Sequence, residues 1–410
     1  MPWNPVCFAG NIANYNAGLF HFPIHSELNP QNSTLHSPPP KTQPSFVLTL
    51  PTMTDCDFLV IGHGIAGATL AYVLRQRGHR VLVYDPGQAN SASNVAAGLM
   101  NPVAGKRFAL TWRVADLLPF AAAFYRELEQ RFNQPFFTET PILKLFASLE
   151  EQNAVLARSA DNPWGDFVAG FATADPGLPG VYGPFGGAWL RHGGHVAVRE
   201  LLAALAAEGR REGWLRAEKF DWTRLATDPA GAIYAGQVRA RHVICCEGAA
   251  AVRNPYFGWL PLTPNQGEVL DVECAGLSTN QVLNRGAYVV PVGAARFRVG
   301  ATYRWPPFAD GPTAVGREEL AARLAIITDL PFAVVEQRAG VRPAVRDRRP
   351  LLGPHPAVPA LSFCGGYGSK GVMLAPRLAV LLADWLENQA EIWPDVSLLR
   401  YDALRRAAVI

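Results

Sequence analysis

The stretch DFLVIGHGIAGATLAYVLRQRGHRVLVYD, residues 57–85, decides the fold. DFLVI is a short apolar run, GHGIAG a tight turn, ATLAYVLRQRG a helical pattern that stops at a glycine, and HRVLVYD a second strand. This spacing predicts a β–α–β unit with Gly62, Gly64 and Gly67 at the positions of a GxGxxG pattern. The first glycine permits the turn, the second lets backbone approach a pyrophosphate, and the third lets helix pack on strand. Phosphates then rest on the N–H groups at the helix start, around Ile65 and Ala66. Asp85 ends the second strand, where a ribose hydroxyl needs a carboxylate acceptor and where a 2′-phosphate would be repelled. His63, between the glycines, occupies a position that tolerates many side chains and receives no catalytic role.

This pattern predicts a dinucleotide ligand but does not separate NAD from FAD. The continuation does more. A nicotinamide dehydrogenase should follow with a helix and another parallel strand, yet PGQANSASNVAAGLMNPVAGKR (86–107) is a long run of small residues. Its peptide groups can lie along an extended ligand. Ser91, Ser93 and Asn94 offer hydrogen bonds, while Ala96, Ala97 and Gly98, followed by Leu99, leave room for a flat ring.

A second glycine-rich loop, CGGYGSKGVMLAP (364–376), stands near the other end of the chain. Gly368, Ser369, Lys370 and Gly371 precede an apolar helical run through Val372 and Met373. A helix starting near Gly371 presents free N–H groups and a positive dipole end. Lys370 is a cation where cations are disfavoured. Either it points to solvent, or an anion lies between it and the helix.

The 410 residues are 49% hydrophobic and 17% charged, with a net charge of +3, which describes a globular chain with no strong electrostatic call on nucleic acid or membrane. No apolar run is long enough to span a bilayer. Six cysteines without metal-like spacing read as reduced thiols of a cytoplasmic protein. Residues 1–52, rich in Asn, Pro and Ser, read as a disordered extension without a secretory leader.

The sequence resembles the D-amino-acid oxidase and glycine oxidase family of FAD-dependent amine oxidases. The resemblance rests on VIGHGIAGATLA (60–71), SNVAAGLMNP (93–102), VICCEGAAA (243–251), PNQGEVLDV (264–272), VGATYR (299–304), AGVRPAVRDRRPLLG (339–353) and GYGSKGVMLAP (366–376). They stand in the family's order and cover about residues 56–390. The GSKG loop is also similar to the flavin oxidase half of the bacterial bifunctional enzyme that modifies wobble uridine in tRNA; that enzyme's methyltransferase half is not in this sequence. The resemblance implies FAD as cofactor, held by the first loop at its pyrophosphate and reached by the last loop at its isoalloxazine, with Gly248 in a further glycine turn on the nucleotide. It implies an α/β fold in which a Rossmann-like FAD-binding domain (53–130, 185–255, 335–405) interleaves with a mainly antiparallel β-sheet substrate domain (131–184, 256–334).

Within that frame Arg342 is expected to hold a substrate carboxylate, since its planar fork suits a bidentate contact; a structural salt bridge is the alternative. Tyr303 either lines the substrate pocket or packs in the core, and Lys370 faces reduced flavin or a substrate anion. Arg342, Arg346, Arg348 and Arg349 read as a solvated face more readily than as a nucleic-acid surface. The expected function is oxidation of the C–N bond of a small amine or amino acid by hydride transfer to FAD. A 2-hydroxy-acid oxidase, an oxidase acting on a carboxymethylaminomethyl group of tRNA, and a non-catalytic flavoprotein stand as alternatives. Substrate chirality, the electron acceptor and the oligomeric state are left open.

Overall fold

The computed structural model describes residues 53–105 and 107–408. The extension expected over residues 1–52, including Cys7, lies outside the described residues. The opening unit folds as strand β1 (Thr54–Ile61), helix α1 (Ile65–Gln76) and strand β2 (Val81–Tyr84). β1 pairs in parallel with β2 on one side and with Val238–Cys245 on the other, and Val358–Gly365 runs parallel beyond that. Alternate side chains of β1 go to opposite faces of this sheet. Phe58 and Val60 pack under α1 and the helices Val114–Phe132, Val198–Arg211 and Gly371–Leu386, whereas Leu59 and Ile61 pack with Phe257 and Phe363. A sheet buried on both faces explains why its strands are continuous apolar runs without alternation.

A second sheet of eight strands runs in the order Ala333–Arg342, Asn265–Glu273, Arg296–Gly300, Tyr288–Gly293, Val282–Asn284, Ile142–Leu145, Gly187–Leu190, Val168–Ala172. All its pairings are antiparallel except that of Val282–Asn284 with Ile142–Leu145. Leu270, Val289 and Val299 face outward onto the helix Ala314–Ala325 with its Leu320 and Leu324. Ile142, Val282 and Val290 face inward, packing with Ala97, Val103 and Phe108. Two of these strands, Gly187–Leu190 and Ala333–Arg342, lie in or across segments that sequence alone suggests for the FAD part. Hydrogen-bond pairing, which composition does not report, draws them into the second sheet.

A three-stranded sheet joins the parts: Gly194–Val196 pairs with Leu99–Met100 on one edge and Phe137–Glu139 on the other. It fixes the small-residue run 93–102 between α1 and the second sheet. Among the described residues, no helix is long and apolar enough to cross a membrane.

Candidate active site

The two glycine loops meet. A Cβ placed on Gly371 would lie 3.0 Å from Cγ2 of Ile65, so the starts of α1 and of the helix Gly371–Leu386 stand side by side. Between them and the second sheet lies a cavity of about 1340 Å³.

At the first loop Gly62 has φ +105°, a left-handed conformation open to glycine at little cost. A Cβ on Gly67 would collide with the Gly62 carbonyl, which is why the third glycine is required although it lies outside the cavity wall. The N–H groups of Ala66 and Gly67 have no backbone acceptor, as expected of a helix start. Asp85 accepts from the N–H of His63 at 2.6 Å and of Gly87 at 2.6 Å. Those bonds fix a carboxylate at the cavity edge with lone pairs to spare for a ribose. Ser93 Oγ accepts from Ile65 N at 3.0 Å, and Asn94 Nδ2 donates to the Gln88 carbonyl at 2.9 Å. Both side chains therefore brace the loop internally. Gly98 turns with φ +70° against the Val196 carbonyl, which lets Ala97, Gly98 and Leu99 run along the cavity wall.

At the last loop the N–H groups of Gly371 and Val372 lack backbone partners, while those of Met373 and Leu374 donate to the Lys370 carbonyl. Two helix starts thus offer N–H groups to one cavity, and Gly248, Gly368 and Ser369 also line it. Lys370 does not point to solvent: its Nζ donates to Thr111 Oγ1 at 3.0 Å. Burial and the nearby Arg349 and Arg348 pull its ammonium below the usual lysine range, so an anion beside it would relieve both effects.

The second sheet roofs the cavity. Arg342 Nη1 donates to Asn265 Oδ1 at 2.9 Å and to the Thr302 carbonyl at 3.3 Å. Its guanidinium lies over Gly267, where any Cβ would collide with it. Among the described residues no carboxylate pairs with it, and burial pulls its ionisation down while Tyr288 and Tyr303 oppose that. Tyr288, which sequence reasoning did not single out, also lines the cavity, with its hydroxyl over Gly300. Burial pushes that phenol upward against the pull of Arg342, Arg298 and Arg338, so it is a neutral hydroxyl at physiological pH. Tyr303 is 54% exposed and lies outside the cavity wall. Its ring is 5.4 Å from Arg342 Cζ and packs edge-on against Trp305.

A charged clamp ties roof to loop. Asp271 receives Arg298 at 2.7 and 2.8 Å and Arg338 at 3.0 and 2.9 Å. The same guanidiniums donate to the carbonyls of Ala96 at 3.4 Å and Asn94 at 3.0 Å. Nothing local in sequence marks this network, because its members are strand residues brought together by register.

These features fit FAD: free N–H groups at two helix starts, a carboxylate at the end of β2, and a cavity wall built from backbone and small side chains. Comparison with known proteins agrees. The family model for FAD dependent oxidoreductases (DAO) matches residues 57–385. Glycine oxidase of Geobacillus kaustophilus is 27% identical over 81% of this chain and 93% of its own length. The crystal structure of glycine oxidase from Geobacillus kaustophilus superposes with a TM-score of 0.72 at 25% identity, covering 83% of this chain and 97% of that one. The tRNA 5-methylaminomethyl-2-thiouridine biosynthesis bifunctional protein of Hahella chejuensis is 29% identical over 80% of this chain, but over only 56% of its own length. From the glycine loops, their meeting at one cavity and the match over most of its length, the chain belongs to the DAO family of FAD-dependent oxidoreductases.

Proposed function

We propose that the protein oxidises the C–N bond of a small amino acid or amine, with Arg342 and Tyr288 as the carboxylate anchor. The observation that carries this is Arg342, a half-buried guanidinium with no carboxylate partner among the described residues, held over Gly267 at the cavity wall. A planar fork beside a neutral phenol hydroxyl is a suitable receptor for a carboxylate. Holding the carboxylate there fixes the carbon that bears the amine relative to the cofactor, and positioning of this kind lowers the barrier by removing orientational freedom. When bound, the flavin supplies the hydride-accepting chemistry.

The FAD contacts follow the same division. Gly62, Gly64, Ala66 and Asp85 serve the adenosine and pyrophosphate, and Gly371 with Val372 serves the ring. Lys370 is assigned to an anion at that ring or on the substrate. Five free cysteines among the described residues accord with a reducing cytoplasm. The exposed pair Tyr303 and Trp305, beside Arg342, favours a second reading in which the amine is carried on an RNA base stacked at the rim.

Anaerobic mixing with panels of amino acids, 2-hydroxy acids and tRNA, following loss of the oxidised flavin absorbance, tests the assignment. Bleaching by amino acids supports it. Bleaching by hydroxy acids or tRNA alone would replace it with the corresponding alternative, and no bleaching by any panel would leave a flavoprotein without this activity.

A further inference from the structure

Lys144 is the one lysine among the fully buried polar side chains of the described residues, 9% exposed. The strand Ile142–Leu145 sends Leu143 and Leu145 outward, and Ile142 inward to the layer of Phe108. Alternation therefore puts Lys144 on the inner face, where it lines the cavity. Its Nζ lies 4.4 Å from the centroid of the Phe108 ring. Among the described residues it forms no ion pair; Glu151, the acid that acts on it, is engaged through Oε2 with the N–H of Ala147. A ring face offsets only part of the cost of taking an ammonium out of water.

Register places this lysine relative to the anchor. Lys144 pairs with Asn284, Asn284 with Tyr288, and Tyr288 with Gly300. With strands about 4.8 Å apart, the backbone of Lys144 is about 10 Å from that of Tyr288 along one row. Asn284 lines the cavity between them. The roof thus carries Arg342 on the strand at one edge and Lys144 five strands further in, with Tyr288 and Asn284 on the strands between them.

We propose that Lys144 and Asn284 form a second anion subsite, so that the preferred substrate is an amine bearing two acidic groups, one at the reacting centre and one at the far end of its side chain or N-substituent. This rests on the reading of Arg342 as the anchor of the first carboxylate. A distal carboxylate supplies the partner that the fold withholds from Lys144, and a neutral substrate leaves that ammonium facing apolar surface.

The test uses anaerobic flavin reduction by the FAD-loaded protein with a graded series: glycine, alanine, aspartate against asparagine, glutamate against glutamine, and N-carboxyalkyl amines against their amides, in both enantiomers where they exist. Acidic members should half-saturate the wild type at concentrations about tenfold or more below those of neutral members of equal length, as one charge-assisted contact provides. Lys144→Gln should erase that advantage and leave the neutral members and the flavin spectrum unchanged, and Lys144→Arg should restore part of it. Equal or better reduction by neutral members in the wild type would overturn the subsite while leaving the amine-oxidising function intact. So would a Lys144→Gln variant that weakens both classes alike. If Lys144→Gln fails to retain flavin, the wild-type series decides alone. Reduction by no amine at all would remove the parent reading and the subsite together.

Discussion

Glycines on the two sides of the cavity do different work. In the nucleotide half, a Cβ on Gly62 would press on the Cys246 carbonyl, one on Gly67 on the Gly62 carbonyl, and one on Gly98 on the Val196 carbonyl. In the roof, a Cβ on Gly267 would strike the Arg342 guanidinium and one on Gly300 the Tyr288 phenol. Backbone held by strand pairing and tight turns cannot move aside, but the end of a long side chain can. The first set of glycines therefore holds the path of the chain around the cofactor, and the second holds the position of single polar groups. Loss of the first should remove the flavin, and loss of the second should impair substrate recognition with the flavin in place.

The largest expected effect on flavin content is that of Gly67→Ala. Overpacking against backbone costs about 1–3 kcal/mol or more, and here the strain falls on the phosphate-binding turn itself. The ratio of flavin to protein absorbance should drop to near zero; wild-type flavin content would break the contrast.

Asp271→Asn asks whether the halves are separable at all. The carboxylate is held below its usual range by Arg298 and Arg338, against the effect of burial, and its loss leaves two half-buried guanidiniums facing a neutral amide. Breaking a buried pair from one side costs about 3–5 kcal/mol. Through the carbonyls of Asn94 and Ala96 this should loosen the loop beside the flavin, lowering the melting temperature and shifting the flavin absorbance bands together. A lowered melting temperature with unchanged bands would mean that the clamp stabilises the roof alone.

Arg342→Lys and Gly267→Ala sharpen the roof side. The lysine keeps the charge and loses the fork, which should weaken substrate binding by about 1.5–3 kcal/mol with flavin content preserved. The alanine displaces the same guanidinium by contact and should raise the half-saturating substrate concentration without changing flavin retention. If either variant instead loses flavin while its substrate dependence is unchanged, Arg342 is a structural residue and not the anchor.

A pH dependence of stability, separate from substrate recognition, includes groups outside the roof. Burial lowers His63, His195 and His242 to about 4, from an unfolded value near 6.5. Above about pH 6.5 both states are neutral and these groups contribute nothing. As pH falls from 6.5 to 4 the unfolded chain binds protons first, so stability declines across that window. Melting temperature measured from pH 7.5 to 4.5 should fall, and His63→Gln should flatten part of the decline. A curve unaffected by that substitution would exclude His63 as a contributor.

Much of the cofactor site is legible in the chain itself. The β–α–β unit, Asp85, the small-residue run after it and the GSKG loop are local patterns, because binding a pyrophosphate or a ring edge with backbone N–H groups requires glycine at fixed spacing and a helix immediately after. Arg342 could be named from its motif. The roof was not readable in the same way. AYVVPV and ILKL are apolar or buried on both sides, so period-two alternation does not say which face looks inward. Tyr288 and Asn284 face each other across a short hairpin, but Lys144 joins their row only through the pairing of Val282–Asn284 with a strand far earlier in the chain, while Tyr303, inside a recognised motif, points out to the rim. Ser93 and Asn94 look like ligand donors in a loop, yet tertiary neighbours use them as braces. The sequence determined where the backbone approaches the cofactor, since that is short-range geometry; the tertiary structure decided which side chains face the substrate, since that depends on long-range register.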